Sequence, residues 1–418
     1  KSRKKSRHAK VVPCDPAPHA HTRWQNFLHD PIGITFLVYF RIAFGTLMLG
    51  LGWHHFSHGL FKRYYIEPPF HFTYYGFDWV KPWPDFGRGQ AWLDFQWLEP
   101  SVGNGTYLHL ILLGLLSLFI MVGFCYRVSS LLFCLGFTHL FLIERARYLN
   151  HFYLIILVSF ILFLVPANRA FSLDAWLWPK IRLTTVPSWT LRLLQFQFGM
   201  VYFFGGVAKS NLDWLRGEPI RTLMSDRARV DDFDWIGHLF TQEHLFTKEW
   251  FVYAMSWGGM LFDLLIFPLL LWRKTRVFAL VLVLAFHGMN SQLFMIDIFP
   301  WMMLVSTVIL FFPDWLPPRN ISCIGFSSKI SQTEVVLPST WREKSVITVV
   351  VIFTVIQLAL PLRPFFYSGV TGWTSEGYQF SWRMFSRRFT SRPPVFVAKY
   401  RTPEGEIKID NEVVLQDP

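Results

Sequence analysis

Lys209 stands where the apolar run YFFGGVA (202–208) gives way to the polar stretch SNLDW (210–214). A charged ammonium is costly at the end of an apolar helix. Desolvation disfavours the ion, so a lysine placed there can present a free amine and act as a general base near neutral pH. The competing reading is snorkelling, with the stem in lipid and the ammonium in water. Further polar groups could serve the same chemistry. LNHFYL (149–154) carries Asn150 and His151, and FHGMNSQLF (286–294) carries His287, Asn290, Ser291 and Gln292. GWTSEGYQFSWRMFSRR (372–388) carries Trp373, Tyr378, Ser381, Trp382 and Arg387. Asn and His beside a base could hold an oxyanion by hydrogen bonds. Such a set suits deprotonation of a weakly acidic, lipid-soluble molecule, with His287, Asn290, Gln292 and Tyr202 as candidates to bind it. Each motif alone is weak, because a lone His or Asn at a helix end is more often a cap or a satisfied core residue. The chain has no GxGxxG, Walker loop, HExxH, GxSxG or paired-cysteine motif, which leaves nucleotide cofactors, zinc proteases and serine hydrolases without support.

The elements that must position these residues are membrane spans. Of the 418 residues 52% are hydrophobic and only 16% charged, against about a quarter charged in a soluble domain. Forty-four Phe and 19 Trp suit lipid faces and membrane interfaces. Apolar runs of about 17 to 25 residues can cross a bilayer. The sequence predicts nine, near 33–55, 107–124, 129–145, 152–166, 190–208, 250–271, 277–290, 294–312 and 345–361. The expected fold is an all-α polytopic membrane protein of about nine transmembrane helices with a small β-containing tail. Its parts are a basic N-terminus (1–32), a transmembrane catalytic domain (33–361) and an extracytoplasmic tail (362–418). The first thirty residues are basic without an apolar core, so no cleavable signal peptide is expected.

Charge orients the spans. With nine spans and a cytoplasmic N-terminus, the inside segments hold 19 Lys and Arg against 6 acids, and the outside loops 11 against 14. The positive-inside rule therefore puts KSRKKSRHAK on the cytoplasmic leaflet and the tail outside. Topology thus accounts for most of the net charge of +12, and nucleic-acid binding is discarded. Lys209, Asn150-His151, the 286–294 motif and the tail all fall on the outer side, selected by a rule that ignores them. That convergence is better evidence of a site than any one motif. Cys14, Cys125, Cys134 and Cys323 fall in cytoplasmic or membrane segments, so neither a structural disulfide nor a thiolate metal site is expected. Arg41, Asp263 and Asp297 lie within spans, where charges usually face a cavity or each other. A buried structural ion pair between Arg41 and Asp263 is the favoured reading.

NHFYL, ANRAFSLDAW, YFFGGVAKSNLDW, FHGMNSQLF and GWTSEGYQFSWRMF, in this order, resemble the vitamin K-dependent gamma-carboxylases and the related bacterial horizontally transferred transmembrane (HTTM) proteins. The resemblance covers roughly residues 25 to 390, and RYYIEPPFHFTYYGFDWVKPWP (63–84) is similar to the family's first outer loop. It implies that Lys209 is the active-site lysine and that Asn150 and His151 are the family's Asn-His pair. It places Tyr378, Ser381 and Trp382 in the glutamate-substrate segment. The implied reaction deprotonates reduced vitamin K, which with O2 passes through a strongly basic alkoxide to the 2,3-epoxide. The alkoxide removes a γ-proton from a peptidyl glutamate, and the carbanion captures CO2. The implied partners are a glutamate-containing protein or peptide and the lipid bilayer, with no metal. The implied location is a bacterial plasma membrane or the endoplasmic reticulum, with the site on the outer or lumenal side.

The chain departs from the animal enzymes in three ways. Its tail is short, with PPVFVAKYRTPEGEIKIDNEVVLQ (393–416) alternating like two strands around a Pro-Glu-Gly turn. The animal disulfide cannot form, and Ala208-Lys209 replaces two consecutive lysines. Recognition like that of clotting-factor precursors is not expected. Two other classes remain open: a quinol epoxidase uncoupled from protein carboxylation, and a non-catalytic membrane protein that binds a quinone or lipid.

Overall fold

The computed structural model describes residues 28–68, 70–84, 103–227, 248–294, 296–316, 341–368 and 376–384, with four short strands between 395 and 414. A helix occupies each of the nine apolar stretches, because only a helix satisfies a backbone in lipid within one segment. They are α1 (Thr35–Ser57), α3 (Asn104–Val122), α4 (Tyr126–Ile143), α5 (Asn150–Leu164), α7 (Trp189–Lys209), α10 (Glu249–Leu271), α11 (Arg276–Leu293), α12 (Phe299–Phe311) and α13 (Trp341–Leu362). Short helices α2 (Leu60–Tyr65), α6 (Leu173–Leu177), α8 (Leu212–Leu215) and α9 (Glu218–Arg227) lie between them. Among the described residues six helices are long and apolar enough to cross a membrane: α1, α3, α4, α10, α11 and α13. α5 and α12 are apolar but shorter.

The chain divides into two compact units. Residues 1–203 with 265–362 form the larger, and residues 204–264 with 363–418 the smaller, so that α7 and α10 each contribute to both. In the larger unit α1 packs on α3 and α12, α4 packs on α3 and α5, and α11 packs on α12. A three-residue clip ties two distant stretches of it together: β1 (Pro31–Gly33) pairs antiparallel with β2 (Thr185–Pro187), Ile32 opposite Val186. The smaller unit carries four tail strands. β4 (Lys399–Arg401) pairs antiparallel with β5 (Ile407–Ile409), and β3 (Val395–Phe396) pairs antiparallel with β6 (Val413–Val414).

The motif ANRAFSLDAW (167–176) is a capping device within the larger unit. Asp174 accepts from the backbone N–H groups of Cys125 and Tyr126 at 2.7 and 3.0 Å, at the start of α4. Its other contact is Asn168 Nδ2 at 2.7 Å. A carboxylate on those free N–H groups stabilises the helix start. Arg41, 1% exposed, donates to the carbonyls of Ala167 at 3.2 Å and Phe171 at 2.5 Å. The expected Arg41–Asp263 pair does not form. The two terminal nitrogens of Arg41 go to carbonyls of the 167–171 backbone instead, and Asp263 has a different partner.

Candidate active site

In the smaller unit, Asp263 of α10 is that partner's carboxylate: Lys209 Nζ at the last residue of α7 donates a short hydrogen bond to Asp263 Oδ2. The lysine is 6% exposed and the aspartate 3%. Snorkelling needs its ammonium in water, so that reading does not describe this lysine. The pair holds one exchangeable proton, as ammonium and carboxylate or as amine and carboxylic acid. The second form removes the need to desolvate two ions.

The local sequence builds this pair. Gly205 and Gly206 let α7 approach α10. A Cβ at Gly206 would lie 2.8 Å from the backbone nitrogen of Leu264, and one at Gly205 would lie 3.1 Å from Asp263 Oδ2. Small residues are what allow such close helix contact in membranes. Beyond Lys209 the chain turns at once. Asn211 caps α8 by accepting from Trp214 N at 3.0 Å, which brings the buried Trp214 under the lysine. Lys209 Nζ lies 5.4 Å from the Trp214 ring centre, on which a cation is favourably placed. Trp214 is in turn held by α10, its Nε1 donating to the Ser256 carbonyl at 2.7 Å. Lysine, aspartate and tryptophan are thus fixed by one helix-turn-helix packed on α10.

The tail segment 376–384 belongs to the same unit. Ser381 and Trp382 are 2% and 0% exposed, and Trp382 holds a left-handed backbone at φ 58°. They are packing residues here rather than an open peptide platform. Tyr378 is half-buried and Glu376 exposed. Met384 Cε would lie 3.7 Å from a Cβ on Gly205, so the segment packs along the glycines beside Asp263. Trp373 and Arg387 lie outside the described residues.

The larger unit holds a second polar group, at the ends of α1, α5, α7 and α11. His287 and Tyr202 are both buried, and Tyr202 Oη is 2.8 Å from His287 Nε2. The expected turn carrying His287, Asn290, Ser291 and Gln292 is instead the last two turns of α11. The helix runs on to Leu293 because its amides keep their carbonyl partners; among the described residues, Phe294 and Ile296 to Ile298 lie outside it. His287 alone of the set is buried, Asn290 is half-buried and Gln292 exposed. Asn150 opens α5 and accepts from Tyr148 Oη at 3.0 Å.

His151, next to it, is 7% exposed, and its Nε2 makes no hydrogen bond among the described residues. That nitrogen lies 4.0 Å from Asp297 Oδ2, and His55 Nε2 lies 2.8 Å from the same oxygen. The Phe299 ring spans the rest, with its centre 6.3 Å from His151 and 6.1 Å from His287. Asp297 lies in the turn outside both helices, at φ 54°. Sequence reading missed His55 entirely and gave Asp297 no partner. Their separation of 242 residues leaves no local signal.

A family model described as HTTM domain matches residues 87–315, more than half of the chain. A second, described as vitamin K-dependent gamma-carboxylase, lumenal domain, matches residues 342–416. No solved structure matches the chain.

Proposed function

The chain belongs to the HTTM and vitamin K-dependent gamma-carboxylase family, a carboxylase-like multi-pass membrane protein, and from that premise we propose that it couples oxygenation of reduced vitamin K to carboxylation of peptidyl glutamate. The observation that carries this reading is the buried Lys209–Asp263 pair, set at the position that matches the family's active-site lysine. Movement of one proton from Lys209 Nζ to Asp263 Oδ2 frees the amine. The amine then accepts a hydroxyl proton, and the ammonium so formed lies against the oxyanion it has created.

The second polar group fits a hydroquinone by its chemistry. The Tyr202–His287 contact is itself a phenol on an imidazole, and His151 is a further buried imidazole. His287, Tyr202 and His151 are therefore assigned to hold the quinol, with Asn150, Asn290 and Gln292 as further contacts. O2 and CO2 are co-substrates, and no metal is required. Oxygenation of the quinol to its 2,3-epoxide supplies a base strong enough to take a glutamate γ-proton, which no side chain can do. Burial keeps water from the site. In the tail, Tyr378 is assigned to the peptide, together with Trp373 and Arg387, while Ser381 and Trp382 hold the segment's shape.

Purified protein given reduced vitamin K, O2, labelled bicarbonate and a short glutamate peptide is expected to form epoxide and fix label together. Epoxide without label would leave the uncoupled epoxidase; neither product would leave a quinone-binding protein. Tyr378→Ala is expected to weaken use of the peptide severalfold while sparing peptide-independent epoxide formation. Equal losses of both would return Tyr378 to a packing role.

The reading also requires an outward-facing site, an N-terminus in the cytoplasm and 362–418 outside, in a bacterial plasma membrane or the endoplasmic reticulum. The tail's match to a domain described as lumenal supports it. Ser210 lies just beyond the C-terminal end of α7 and Lys274 just beyond that of α10, and both are exposed. In a background lacking the four native cysteines, Ser210→Cys is expected to react with an impermeant thiol reagent from outside and Lys274→Cys only after permeabilisation. The reverse pattern would overturn the orientation.

A further inference from the structure

Asp297 is a carboxylate that the quinol chemistry above does not use. Its left-handed backbone is uncommon outside glycine, and such conformations persist where surrounding structure holds them in place. The effect is to set one oxygen, Oδ2, between two imidazoles. His55 Nε2 lies on it at 2.8 Å and His151 Nε2 at 4.0 Å. Exposure rises along the series: the side chain of His151 is 9% exposed and that of Asp297 19%. His55 is seated against a small apolar cavity of about 30 Å3 with Leu51, Phe61, Phe137 and Phe152, which offers its ring no other solvation. Beyond it on α1, His54 and His58 are exposed and their ring centres are 4.3 Å apart. A purely structural ion pair would need one histidine. The second is buried, with the nitrogen that faces the carboxylate left unbonded.

We propose that Asp297, held by His55, is a proton relay that empties His151 toward the aqueous end of the helices. The proposal rests on the reading of His151 as a group that takes up a quinol hydroxyl proton. In the step, the His151 Nε2–H bond breaks as an O–H bond forms on Asp297. The carboxylic acid then gives that proton to water at its exposed edge and returns to carboxylate, with no change of oxidation state. The 4.0 Å gap is closed by a small rotation or one bridging water. His55 is a positioning residue: its N–H on Oδ2 keeps that oxygen aimed at His151 between cycles. The other charged groups that face the relay are His54 on the side of Asp297 and Arg147 on the side of His151. Intramembrane Asp and His chains of this kind serve as proton paths in pumps and transporters.

The test uses the full chain in lipid nanodiscs with ring-labelled histidine. His151 is assigned as the resonance lost in His151→Gln and then titrated in wild type and in Asp297→Asn. Asn tolerates the left-handed backbone, so the variant keeps the turn. The His151 midpoint is expected to fall by about one unit or more when the carboxylate is removed. Epoxide formation is expected to fall about 10²-fold, the low end of what proton transfer contributes. His55→Gln, which can still donate to the carboxylate, is expected to keep most of the turnover that His55→Ala loses. An unmoved His151 midpoint overturns the relay, and so does a shifted midpoint with unchanged turnover. If wild type forms no epoxide, the functional reading falls, and the titration alone decides whether His151 and Asp297 are coupled.

Discussion

Lys209→Ala is expected to lower epoxide formation by about 10² to 10⁴-fold, the usual contribution of a positioned acid or base. The protein should still fold. Removing the ammonium leaves Asp263 alone in an apolar setting, but a buried carboxyl can take up a proton and become neutral instead of remaining as an unpaired ion. The truncated side chain also opens a space beside the Trp214 ring, where a small amine could stand in for Nζ. Added methylamine is therefore expected to restore part of the epoxide rate. The restored rate should rise with pH as more of the amine is unprotonated, because only the free base can accept the hydroxyl proton. Product is measured by chromatography and folding by thermal melting of the same preparation. If the alanine variant forms epoxide at the wild-type rate, Lys209 serves only as the counter-ion of Asp263.

The elements that hold this lysine were largely legible as apolar stretches. Their periodicity and length reflect a local requirement, that each backbone satisfy itself within one segment. The polar residues were less legible, because their meaning depends on partners far along the chain. Lys209 was recognisable as a misplaced charge, while its partner Asp263 lies 54 residues away and was paired with Arg41 instead. Nothing local separates the two choices: both are charges within spans, and only the packing of α7 on α10 through Gly205 and Gly206 decides between them.

A similar limit applies to FHGMNSQLF. Asn290, Ser291 and Gln292 have turn-like side chains, but no proline interrupts them, and the helix keeps its hydrogen bonds to Leu293. In the tail motif the burial of Trp382 had no local signal: Phe380 and Trp382 hold left-handed backbones, and the indole is fully buried. His55, in the run WHHFSH, carried no signal beyond a helix end, since its partner enters from the other end of the sequence.

Asp263→Leu is expected to be more damaging than Lys209→Ala, and the comparison separates a structural pair from a catalytic one. Leucine at 263 strands a lysine that is 6% exposed, and removing one partner of a buried pair typically destabilises by about 3–5 kcal/mol. The double variant Lys209→Met with Asp263→Leu removes both charges and fills the same volume with apolar atoms. Such replacements are often neutral or stabilising. The double variant should therefore recover most or all of the thermal stability lost in Asp263→Leu, a non-additivity that measures the coupling of the two side chains. Epoxide formation should not recover, because neither methionine nor leucine can accept a proton. Stability and turnover then part company in a single protein, which a purely structural role for the pair cannot produce. If Asp263→Leu melts with the wild type, no charge is stranded and the ion pair contributes nothing to the fold. If the double variant regains epoxide formation along with its stability, the pair was a strut, and the base must be sought among His151, His287 and Tyr202.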